Sequence, residues 1–580
     1  MNASSRGLDL DRIVAVLGEA SVALEILGEN PFKVRAYAGA ARALDALDAD
    51  LDTLIAEKRL TDIKGIGKGL AEKIVDLRRD GADPEIDLLM RRVPSGIFEM
   101  LAIPGFGPKK AKAVWEKLGV TTVGELEYAC NENRLIELPG FGEKTQEKIL
   151  VGIRALARYA GRRLRARAAD EAARLLAFVE SHPSVVRAAV AGSFRRGLET
   201  VKDIDLVASS ADPTAVMAAF VKADGVEEVI GAGSTKASVR LASGLQADLR
   251  VVGDDEFPHT LHHFTGSKAH NIELRSYAKK KGFALNEYAL TRGDETIRVA
   301  DERELYATLG LAYIPPELRE GHGEIAVAAR GGRPWSDLIA PADITGIFHC
   351  HTVASDGKNT LEEMAAACRD RGWAYLGVSD HSRAASYAGG LSIDELARQG
   401  EEADRVMERF PGLTIYKGIE SDILPDGSLD YPDDVLDKLD FVIASVHSGF
   451  VADEKKMTDR IVTAVKNPFT TMLGHLTGRL LLTREGYPVN VPKIIEACAE
   501  HRVAIELNAN PHRLDLDWRH LRAAVDAGVV IAVNPDAHRI AGLDHVAEGV
   551  MAARKGGLAP RHVLNAWAPA AVAQWLKGKR

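Results

Sequence analysis

The spacing of the apolar residues changes along this chain, and these changes constrain its fold more than any other feature. Up to about residue 160, apolar side chains recur at every third or fourth position, as in DRIVAVLGEASVALEIL, which predicts helices and no strands. From Ser184 to about residue 320, short apolar runs such as VVRAAVAGS alternate with helical stretches, which predicts a mixed α/β region. After residue 341, strand-like runs that end in polar residues alternate with helices, the pattern of a β/α barrel.

Regions of three different kinds require several domains. The length of 580 residues agrees, because one domain usually holds about 100 to 200 residues. The stretch GHGEIAVAARGGRPWSDLIAPAD is rich in glycine and proline and is predicted to be a linker. No apolar run is long enough for a membrane span and the N-terminus lacks the order of a secretory signal, so we expect a cytoplasmic protein without membrane contacts. The four cysteines form no C-x-x-C pair, and we expect them to be reduced.

The net charge of −9, taken alone, argues against a nucleic-acid partner, because phosphate binding needs a basic surface. Most of this charge lies after residue 341, however, and seven arginines fall between residues 154 and 174. This basic stripe is either a solvated helix face or part of a DNA-binding surface. The motifs on either side of it favour DNA.

Three short repeats in the helical region share one pattern. IKGIGKGLAEKI, IPGFGPKKAKAVW and LPGFGEKTQEKIL each place an apolar residue between two glycines, directly before a helix start. Glycine permits positive φ and the close approach of a phosphate, while free N–H groups and the helix dipole attract an anion without reading sequence. The repeats resemble helix-hairpin-helix motifs, which grip the DNA backbone. The glycines expected to contact DNA are Gly65, Gly67, Gly105, Gly107, Gly140 and Gly142.

The segment AGSFRRGLETVKDIDLVAS carries the strongest indication of chemistry. Asp203 and Asp205 alternate on a predicted strand, so both carboxylates project from one face, and Asp248 lies on another strand-like run. Three such carboxylates can share two Mg²⁺ ions about 4 Å apart, which would activate a primer 3′-hydroxyl and stabilise a leaving pyrophosphate. A turn and two guanidinium groups suited to a triphosphate precede them, formed by Gly192, Ser193, Arg195 and Arg196.

This segment resembles the nucleotidyltransferase signature of the family X DNA polymerases, the group that contains DNA polymerase beta. A second segment, HHFTGSKAHNIELRSYAKKKGFALNEYAL, is similar to the thumb of that family, which closes over the incoming nucleotide. The resemblance implies that the three aspartates bind Mg²⁺ or Mn²⁺. It also implies contacts to the nucleotide and the template strand from Ser193, Arg196, Gly266, Asn271 and Arg275.

Two positions of the resemblance leave a question open. His263 precedes Phe264 where the animal enzymes have tyrosine, so the discrimination between deoxyribose and ribose is not predicted. Lys73 matches the lysine that forms a Schiff base with an abasic sugar in repair-type members. A nucleophilic amine must lose its proton, and a neighbouring cation such as Lys68 would lower its pKa. The alternative role for Lys73, which we favour, is a helix lysine that contacts phosphate.

After residue 341, strands repeatedly end in histidine, aspartate or glutamate. The strand ends of a β/α barrel converge on one mouth, so donors far apart in sequence can meet there. Nitrogen and oxygen donors without thiolate suit a cluster of Zn²⁺, Mn²⁺ or Fe ions that activates water for attack on phosphorus. The nine candidate donors are His349, His351, Asp356, His381, Glu420, His447, His475, Asp536 and His538.

These nine positions resemble the metal pattern of the PHP (polymerase and histidinol phosphatase) domain. A PHP domain joined to a family X polymerase is the arrangement of bacterial enzymes, and it implies 3′-to-5′ exonuclease activity with related phosphoesterase activity on DNA. The substrates would be gapped or recessed duplex DNA and dNTPs, handled by a monomer near the nucleoid. From charge alone, Arg479, Arg513 and Asn508 are predicted to hold a substrate phosphate.

The predicted fold is therefore multidomain, with an all-α helix-hairpin-helix region, an α+β nucleotidyltransferase palm and thumb, and a distorted β/α barrel. Three alternatives remain at this point: a small-molecule phosphatase, a binding protein that uses the barrel as a scaffold, and a nucleotidyltransferase that acts on RNA or without a template. The expected boundaries are a helical DNA-binding domain at 1–95, fingers at 96–165, palm at 166–257, thumb at 258–320, linker at 321–341 and PHP domain at 342–580.

Overall fold

The computed structural model describes residues 7–47, 50–136, 138–159, 161–332 and 334–579. They belong to two compact units, Met1–Ala160 and Gly161–Arg580. No helix within these ranges has the length and apolarity that a membrane span requires.

The first unit is helical throughout its described residues, as the apolar spacing predicts. Side-chain caps explain where several helices begin, because Asp9, Asn30, Asp83 and Thr122 each accept a hydrogen bond from a backbone N–H of the first turn. The helices share one apolar core. They are α1 (Leu10–Leu27), α2 (Pro31–Asp45), α3 (Leu51–Ala56), α4 (Lys68–Asp80), α5 (Pro84–Arg91), α6 (Ser95–Leu101), α7 (Pro108–Leu118), α8 (Val123–Asn131) and α9 (Glu143–Tyr159).

The second unit begins with a five-stranded sheet in the order β2-β4-β7-β6-β5. Strands β4 and β7 run parallel at its centre, and alternate residues of β4, such as Ile204 and Leu206, fill the core beneath. The elements are β1 (Arg163–Leu164), α10 (Arg165–Glu180), β2 (Val185–Val190), α11 (Gly192–Arg195), β3 (Thr200–Val201), β4 (Asp203–Ser210), α12 (Pro213–Phe220), β5 (Val226–Ala232), β6 (Lys236–Leu241) and β7 (Gln246–Val252).

A smaller subdomain follows, built on a three-stranded antiparallel sheet in the order β8-β9-β10. Ile325 and Ala328 are buried in its core. The start of the predicted linker at 321–341 is therefore folded, because its apolar residues pack against this subdomain. The elements are α13 (Phe257–Thr265), α14 (Lys268–Lys280), β8 (Ala284–Leu285), β9 (Leu290–Arg292), β10 (Glu295–Ile297), α15 (Glu302–Thr308) and α16 (Glu324–Ala328).

The rest of the chain confirms the predicted β/α barrel. Seven parallel strands follow one another in sequence order. The ends of β11 and β17 meet where the His351 N–H donates to the Ala537 carbonyl and the Ala537 N–H donates to the His349 carbonyl, so the sheet nearly closes. Aromatic side chains such as Phe348 and Phe441 fill the interior. The strands are β11 (Gly346–Cys350), β12 (Tyr375–Val378), β13 (Thr414–Asp422), β14 (Phe441–Ser445), β15 (Met472–Leu473), β16 (Ala504–Asn508) and β17 (Ile531–Asn534).

Helices cover the outside of the barrel, which explains why its strands are apolar on both faces. These helices are α17 (Leu361–Asp370), α18 (Ile393–Arg409), α19 (Asp433–Leu436), α20 (Glu454–Lys466), α21 (Val491–Glu500), α22 (Trp518–Asp526), α23 (Val546–Lys555) and α24 (Pro569–Lys579).

Candidate functional sites

The structure brings the three predicted aspartates together on the central strands. Asp205 of β4 stands directly opposite Asp248 of β7, and Asp203 lies two residues earlier on the same face of β4. Burial and the two neighbouring carboxylates raise the pKa of Asp205 to about 7. Burial and Asp248 also raise the pKa of Asp203. A divalent cation would offset the repulsion between these three carboxylates, so the donor set fits a metal ion that prefers oxygen ligands.

Lys236 and Gln246 also contact this carboxylate cluster, and the sequence analysis missed both. The Lys236 Nζ lies 3.3 Å from Asp248 Oδ2, and the Gln246 side chain donates to Asp248 Oδ1 at 2.9 Å. Lys236, on the neighbouring strand β6, offsets the negative charge of the cluster only in part, because its side chain is half exposed. The place of Lys236 depends on the register between β6 and β7, which no sequence motif marks. Gln246 lies two residues before Asp248 on the same strand, so strand alternation alone puts the two on one face.

The predicted turn packs directly against the carboxylates. Gly192 has a φ of 62°, and a Cβ at this position would stand 2.0 Å from Asp205 Oδ2. Only glycine fits here, both for its backbone conformation and for the space available. Glycine at this position therefore brings α11 against the metal-binding face.

The two arginines predicted to hold a triphosphate have different partners. The Arg195 guanidinium binds Glu302 at 2.6 Å and Thr265 Oγ1 at 2.6 Å, so it is engaged between α11 and the following subdomain. The Glu302 carboxylate thus takes up this guanidinium, and a triphosphate contact from Arg195 stays a prediction. Arg196 uses Nε and one terminal nitrogen for Glu320 and the Thr265 carbonyl. Within the described residues its other terminal nitrogen has no hydrogen bond, which makes Arg196 the better candidate for a phosphate contact.

The predicted thumb contacts converge on His263. The Asn271 side chain donates to the His263 carbonyl at 2.8 Å, and Arg275 lies 2.8 Å from His263 Nδ1. The Asn271 Oδ1 is buried and has no hydrogen-bond partner among the described residues. Gly266, with a φ of 70°, lies beside Arg196, since a Cβ there would stand 3.1 Å from its guanidinium. Gly266 is thus adjacent to the candidate triphosphate contact.

Lys73 is paired with two carboxylates. Its Nζ lies 2.7 Å from Glu85 Oε2 and 3.4 Å from Asp83 Oδ1. Burial acts to lower the pKa of Lys73, but the hydrogen bond to Glu85 and the charge of Asp83 oppose it, and the pKa is raised. The expectation that cations lower this pKa is therefore wrong. As a Schiff-base nucleophile, Lys73 would first have to leave these carboxylates.

Each of the three glycine repeats forms a turn that leads into a helix, respectively α4, α7 and α9. The first glycine of each repeat has positive φ, 101° at Gly65, 76° at Gly105 and 86° at Gly140. The apolar residue between the two glycines is buried in the core. Among the described residues, nothing lies within 4 Å of a Cβ added at Gly67, Gly105, Gly107, Gly140 or Gly142. In each turn the apolar residue is therefore fixed in the core while the glycines face open space, as the close approach of a phosphate requires.

The nine predicted donors of the barrel meet at one mouth. Eight of them form three overlapping groups, and within each group the ligand atoms lie within 4.8 Å of one another. The groups are His351, Asp356, His381 and His538, then His349, His351 and Asp536, and then His381, Glu420 and His447. The ninth donor, His475, places Nε2 3.0 Å from Glu420 Oε1.

Buried nitrogen atoms of this mouth fit metal ions. His349 Nε2, both ring nitrogens of His351 and His475 Nδ1 are buried without a hydrogen bond to any described residue. Such atoms are rare in protein interiors because losing water without gaining a partner is unfavourable. Glu420 Oε atoms lie within 3.7 Å of five imidazoles, which are those of His349, His351, His381, His447 and His475. A carboxylate among imidazoles is a donor set for divalent metals of the first transition row.

The backbone at two donors is also unusual. His349 and Asp536 have φ values of 56° and 50°. Residues with a side chain seldom adopt this conformation, and in folded proteins it is concentrated at functional sites, where surrounding structure enforces it. The conformation turns both side chains into the mouth from strand ends that also pair with each other.

Two further carboxylates orient the donors, and the sequence analysis missed them. Glu506 is fully buried and lies 2.5 Å from His349 Nδ1, and its other oxygen accepts from the His475 backbone at 2.8 Å. Asp422 Oδ1 lies 3.2 Å from His447 Nδ1. A carboxylate on the far nitrogen fixes the ring orientation and tautomer of a metal-binding histidine. Asp422 ends β13 and so follows the strand-end pattern that predicted the donors, whereas Glu506 lies in the middle of β16.

Replacement of Glu506 by glutamine should weaken metal binding at the mouth. The amide keeps the shape but removes the charge that supports His349, and changes of this kind lower metal affinity or activity by about 10- to 100-fold. The measurement is metal-dependent nuclease activity, titrated with Mn²⁺, for Glu506→Gln and for the control Glu496→Gln on the neighbouring helix α21. Equal Mn²⁺ dependence in both variants would contradict the role of Glu506.

The residues predicted from charge to hold a phosphate differ in their surroundings. Arg479 is fully engaged, because its three nitrogens contact Asp517, Glu199 and two backbone carbonyls. The Asn508 side chain donates to Glu506 and to Asp536 Oδ2 at 3.0 Å, so it supports a donor. Arg513 also reaches the mouth, with its Nε 3.5 Å from Asp536, and it is the one of the three that brings a positive charge there. Cys350 is buried in the core, as the alternation along β11 predicts.

Comparison with known proteins adds four matches to family models. A helix-hairpin-helix domain matches residues 11–82, a SAM-like helix-hairpin-helix tandem 97–155, the DNA polymerase beta thumb 260–320 and the PHP domain 348–510. The chain is 39% identical over 566 residues to the DNA polymerase/3′-5′ exonuclease PolX of Bacillus subtilis, covering 96% of this chain and 97% of that protein. A probable phosphatase of Caldicellulosiruptor saccharolyticus is 30% identical over 208 residues, 33% of this chain and 78% of that protein. For a probable phosphatase of Vibrio campbellii the identity is 30% over 202 residues, 33% of this chain and 76% of that protein.

Proposed function

Because the chain belongs to the family X DNA polymerases that carry a C-terminal PHP domain, we propose that it fills short gaps in DNA during repair and removes nucleotides from 3′ ends. The observation that carries this proposal is the presence of two complete and chemically different donor clusters. One consists of three aspartates on β4 and β7, and the other of nine nitrogen and oxygen donors at the mouth of the barrel.

In nucleotide addition, Asp203, Asp205 and Asp248 would hold divalent ions, for which we favour Mg²⁺ or Mn²⁺. The bound ions would activate the primer 3′-hydroxyl and stabilise the leaving pyrophosphate. Arg196 would bind the triphosphate through its free terminal nitrogen, and Ser193 would contribute its hydroxyl from the same turn. Asn271 and Arg275, both fixed by His263, would contact the new base pair and the template strand.

In 3′-end removal, the histidines and carboxylates of the mouth would hold Mn²⁺, Zn²⁺ or Fe ions that activate water for attack on phosphorus. Glu506 and Asp422 would keep the histidine rings in the orientation that binding requires. Arg513 would neutralise the scissile phosphate, since its guanidinium stands next to Asp536.

The DNA-binding surface is proposed to lie at the three glycine turns. The turns at Gly65, Gly105 and Gly140 would bind the backbone of gapped or recessed duplex DNA without reading its sequence. Each donor cluster is complete within one chain, which supports a functional monomer. The enzyme would work on chromosomal DNA in the cytoplasm. A phosphatase of small molecules is less consistent with the chain, because the phosphatase relatives align with only 33% of it.

The proposal is tested by incubating the protein with a one-nucleotide gapped duplex and a recessed duplex. Mg²⁺ or Mn²⁺ is supplied, and the four dNTPs are added singly, together or not at all. We expect the primer to grow only with the complementary dNTP and to shrink when dNTPs are omitted. Growth with any dNTP would indicate addition without a template, and no growth under any condition would exclude the polymerase.

A further inference from the structure

One helix of the barrel, α23, faces the polymerase half of the second unit with four side chains at positions i, i+3, i+6 and i+7. This spacing places them on one side of a helix. They are Glu548, Met551, Arg554 and Lys555. Glu548 pairs with Arg165 at 2.6 Å and Arg554 with Glu317 at 2.6 Å. This face of α23 therefore contacts the polymerase half through two ion pairs.

Met551 of this face lies against the end of the nucleotide-binding turn. Gly197, which directly follows Arg196, has a φ of 67°. A Cβ at Gly197 would stand 2.7 Å from the Met551 sulfur. The turn thus leaves no room for a side chain where α23 packs against it.

Lys555 is buried, and its ammonium group has three acceptors. Its Nζ lies 2.5 Å from Glu320 Oε1, 3.1 Å from the Arg196 carbonyl and 3.2 Å from the Glu317 carbonyl. It also lies 4.5 Å from the centre of the Trp518 ring. A buried lysine with every proton directed at an acceptor is held in one position.

The oxygen of Glu320 that accepts from Lys555 also accepts from Arg196. The Nε of Arg196 lies 3.0 Å from Glu320 Oε1, and a terminal nitrogen donates to the Thr265 carbonyl at 2.6 Å. Glu320 therefore stands between the two cations and fixes the guanidinium plane. Among the described residues of α23, Lys555 alone touches both the backbone of Arg196 and the carboxylate that holds its side chain.

We propose that Lys555 of the PHP domain is a positioning residue for nucleotide addition, because it holds Glu320 and the Arg196 backbone so that the guanidinium points at the incoming triphosphate. The barrel then has a second role besides its own metal chemistry, since it supports the nucleotide pocket of the other active site. A preorganised guanidinium loses less freedom when the triphosphate binds, so the contribution appears in nucleotide affinity. This inference rests on the proposed polymerase function and on Arg196 as a triphosphate contact.

The test is steady-state kinetics of one-nucleotide gap filling by the full-length Lys555→Met variant. We expect the KM for the complementary dNTP to rise about tenfold, as for the loss of one hydrogen bond to a charged group, while kcat changes less than about threefold. Lys555→Arg should restore most of the affinity. The matched control is Arg561→Gln, which removes an exposed ion pair to Asp337 in the same domain and should leave KM unchanged.

Two measurements distinguish a positioning role of Lys555 from a merely structural one. Nuclease activity of the same Lys555→Met preparation should match that of the parent, because the metal mouth does not involve this lysine. Glu320→Gln should raise KM to a similar extent, and the double variant should show no further increase, because both residues act through Arg196. If Lys555→Met does not fold, Glu320→Gln alone must show the KM effect.

An unchanged KM in the folded lysine variant, or a parallel fall of kcat and nuclease activity, would overturn the proposal. Additive effects of the two substitutions would overturn it as well. Failure of the unmodified protein to extend the primer would refute the polymerase function itself, which is a different result from normal extension with an unchanged KM.

Discussion

Replacement of Asp205 by asparagine is expected to lower the rate of nucleotide addition by about a thousandfold, the upper end of what one preorganised charge contributes to catalysis. Asp205 is the one of the three aspartates whose pKa is raised to about 7, by burial and by its carboxylate neighbours. The asparagine keeps the shape but removes a charged metal ligand. The rate is measured as single-turnover extension of a primer in a gapped duplex.

The control for this variant is Asp255→Asn, an exposed aspartate in the loop after β7. It should extend the primer at the parental rate. Asp205→Asn should also melt at or above the parental temperature without metal, because one of three mutually repelling charges has been removed. Extension at an undiminished rate would show that Asp205 is not a metal ligand, and a large fall in melting temperature would show that the loss is one of folding.

Replacement of both His349 and His351 by alanine is expected to lower Mn²⁺-dependent nuclease activity by about a thousandfold, with extension within about twofold of the parent. Both rings are fully buried, and His351 belongs to two of the three donor groups. Removing them leaves Asp536 as the single donor of one group, which is too few to hold a metal ion, and reduces the other group from four donors to three. Nuclease activity is measured on a labelled recessed duplex without dNTPs.

The matched control is His520→Ala on α22, since His520 is not among the donors of the mouth. Its nuclease activity should equal that of the parent. Extension serves as the folding control for the double histidine variant, because α23 of the same domain packs against the polymerase half. Retained nuclease activity in the double variant would remove the barrel mouth as the nuclease site.

The fold could be predicted from local patterns because each region has one dominant spacing of its apolar residues. Helical spacing marks α1 to α9, and apolar strands that are covered on both faces mark the barrel. The linker was harder to predict, because its composition suggested an irregular stretch. In the structure Ile325 and Ala328 are buried in the neighbouring core, Trp335 packs against it, and Ile339 is buried in the core of the barrel. Glycine and proline content does not reveal where such a segment packs.

The convergence of the nine candidate donors could be predicted because strand ends meet at one mouth in a barrel. Asp422 follows the same rule, and attention to every acidic strand end would have found it, whereas Glu506 lies in the middle of its strand. The partners of arginines could not be predicted in this way. Arg195 and Arg479 have the charge for phosphate binding, but their guanidinium groups pair with carboxylates distant in sequence, Glu302 for Arg195 and both Asp517 and Glu199 for Arg479. Those contacts depend on how subdomains pack.

The account depends most on the two clusters being separate active sites, and one measurement tests this directly. The substrate is a gapped duplex whose primer ends in a dideoxynucleotide, so that it cannot be extended before the end is removed. Asp205→Asn and the His349→Ala/His351→Ala variant are supplied singly and as an equimolar mixture, with Mn²⁺ and dNTPs. We expect trimming alone from the first, no reaction from the second and a filled gap from the mixture. A filled gap from either variant alone, or none from the mixture, would contradict the account.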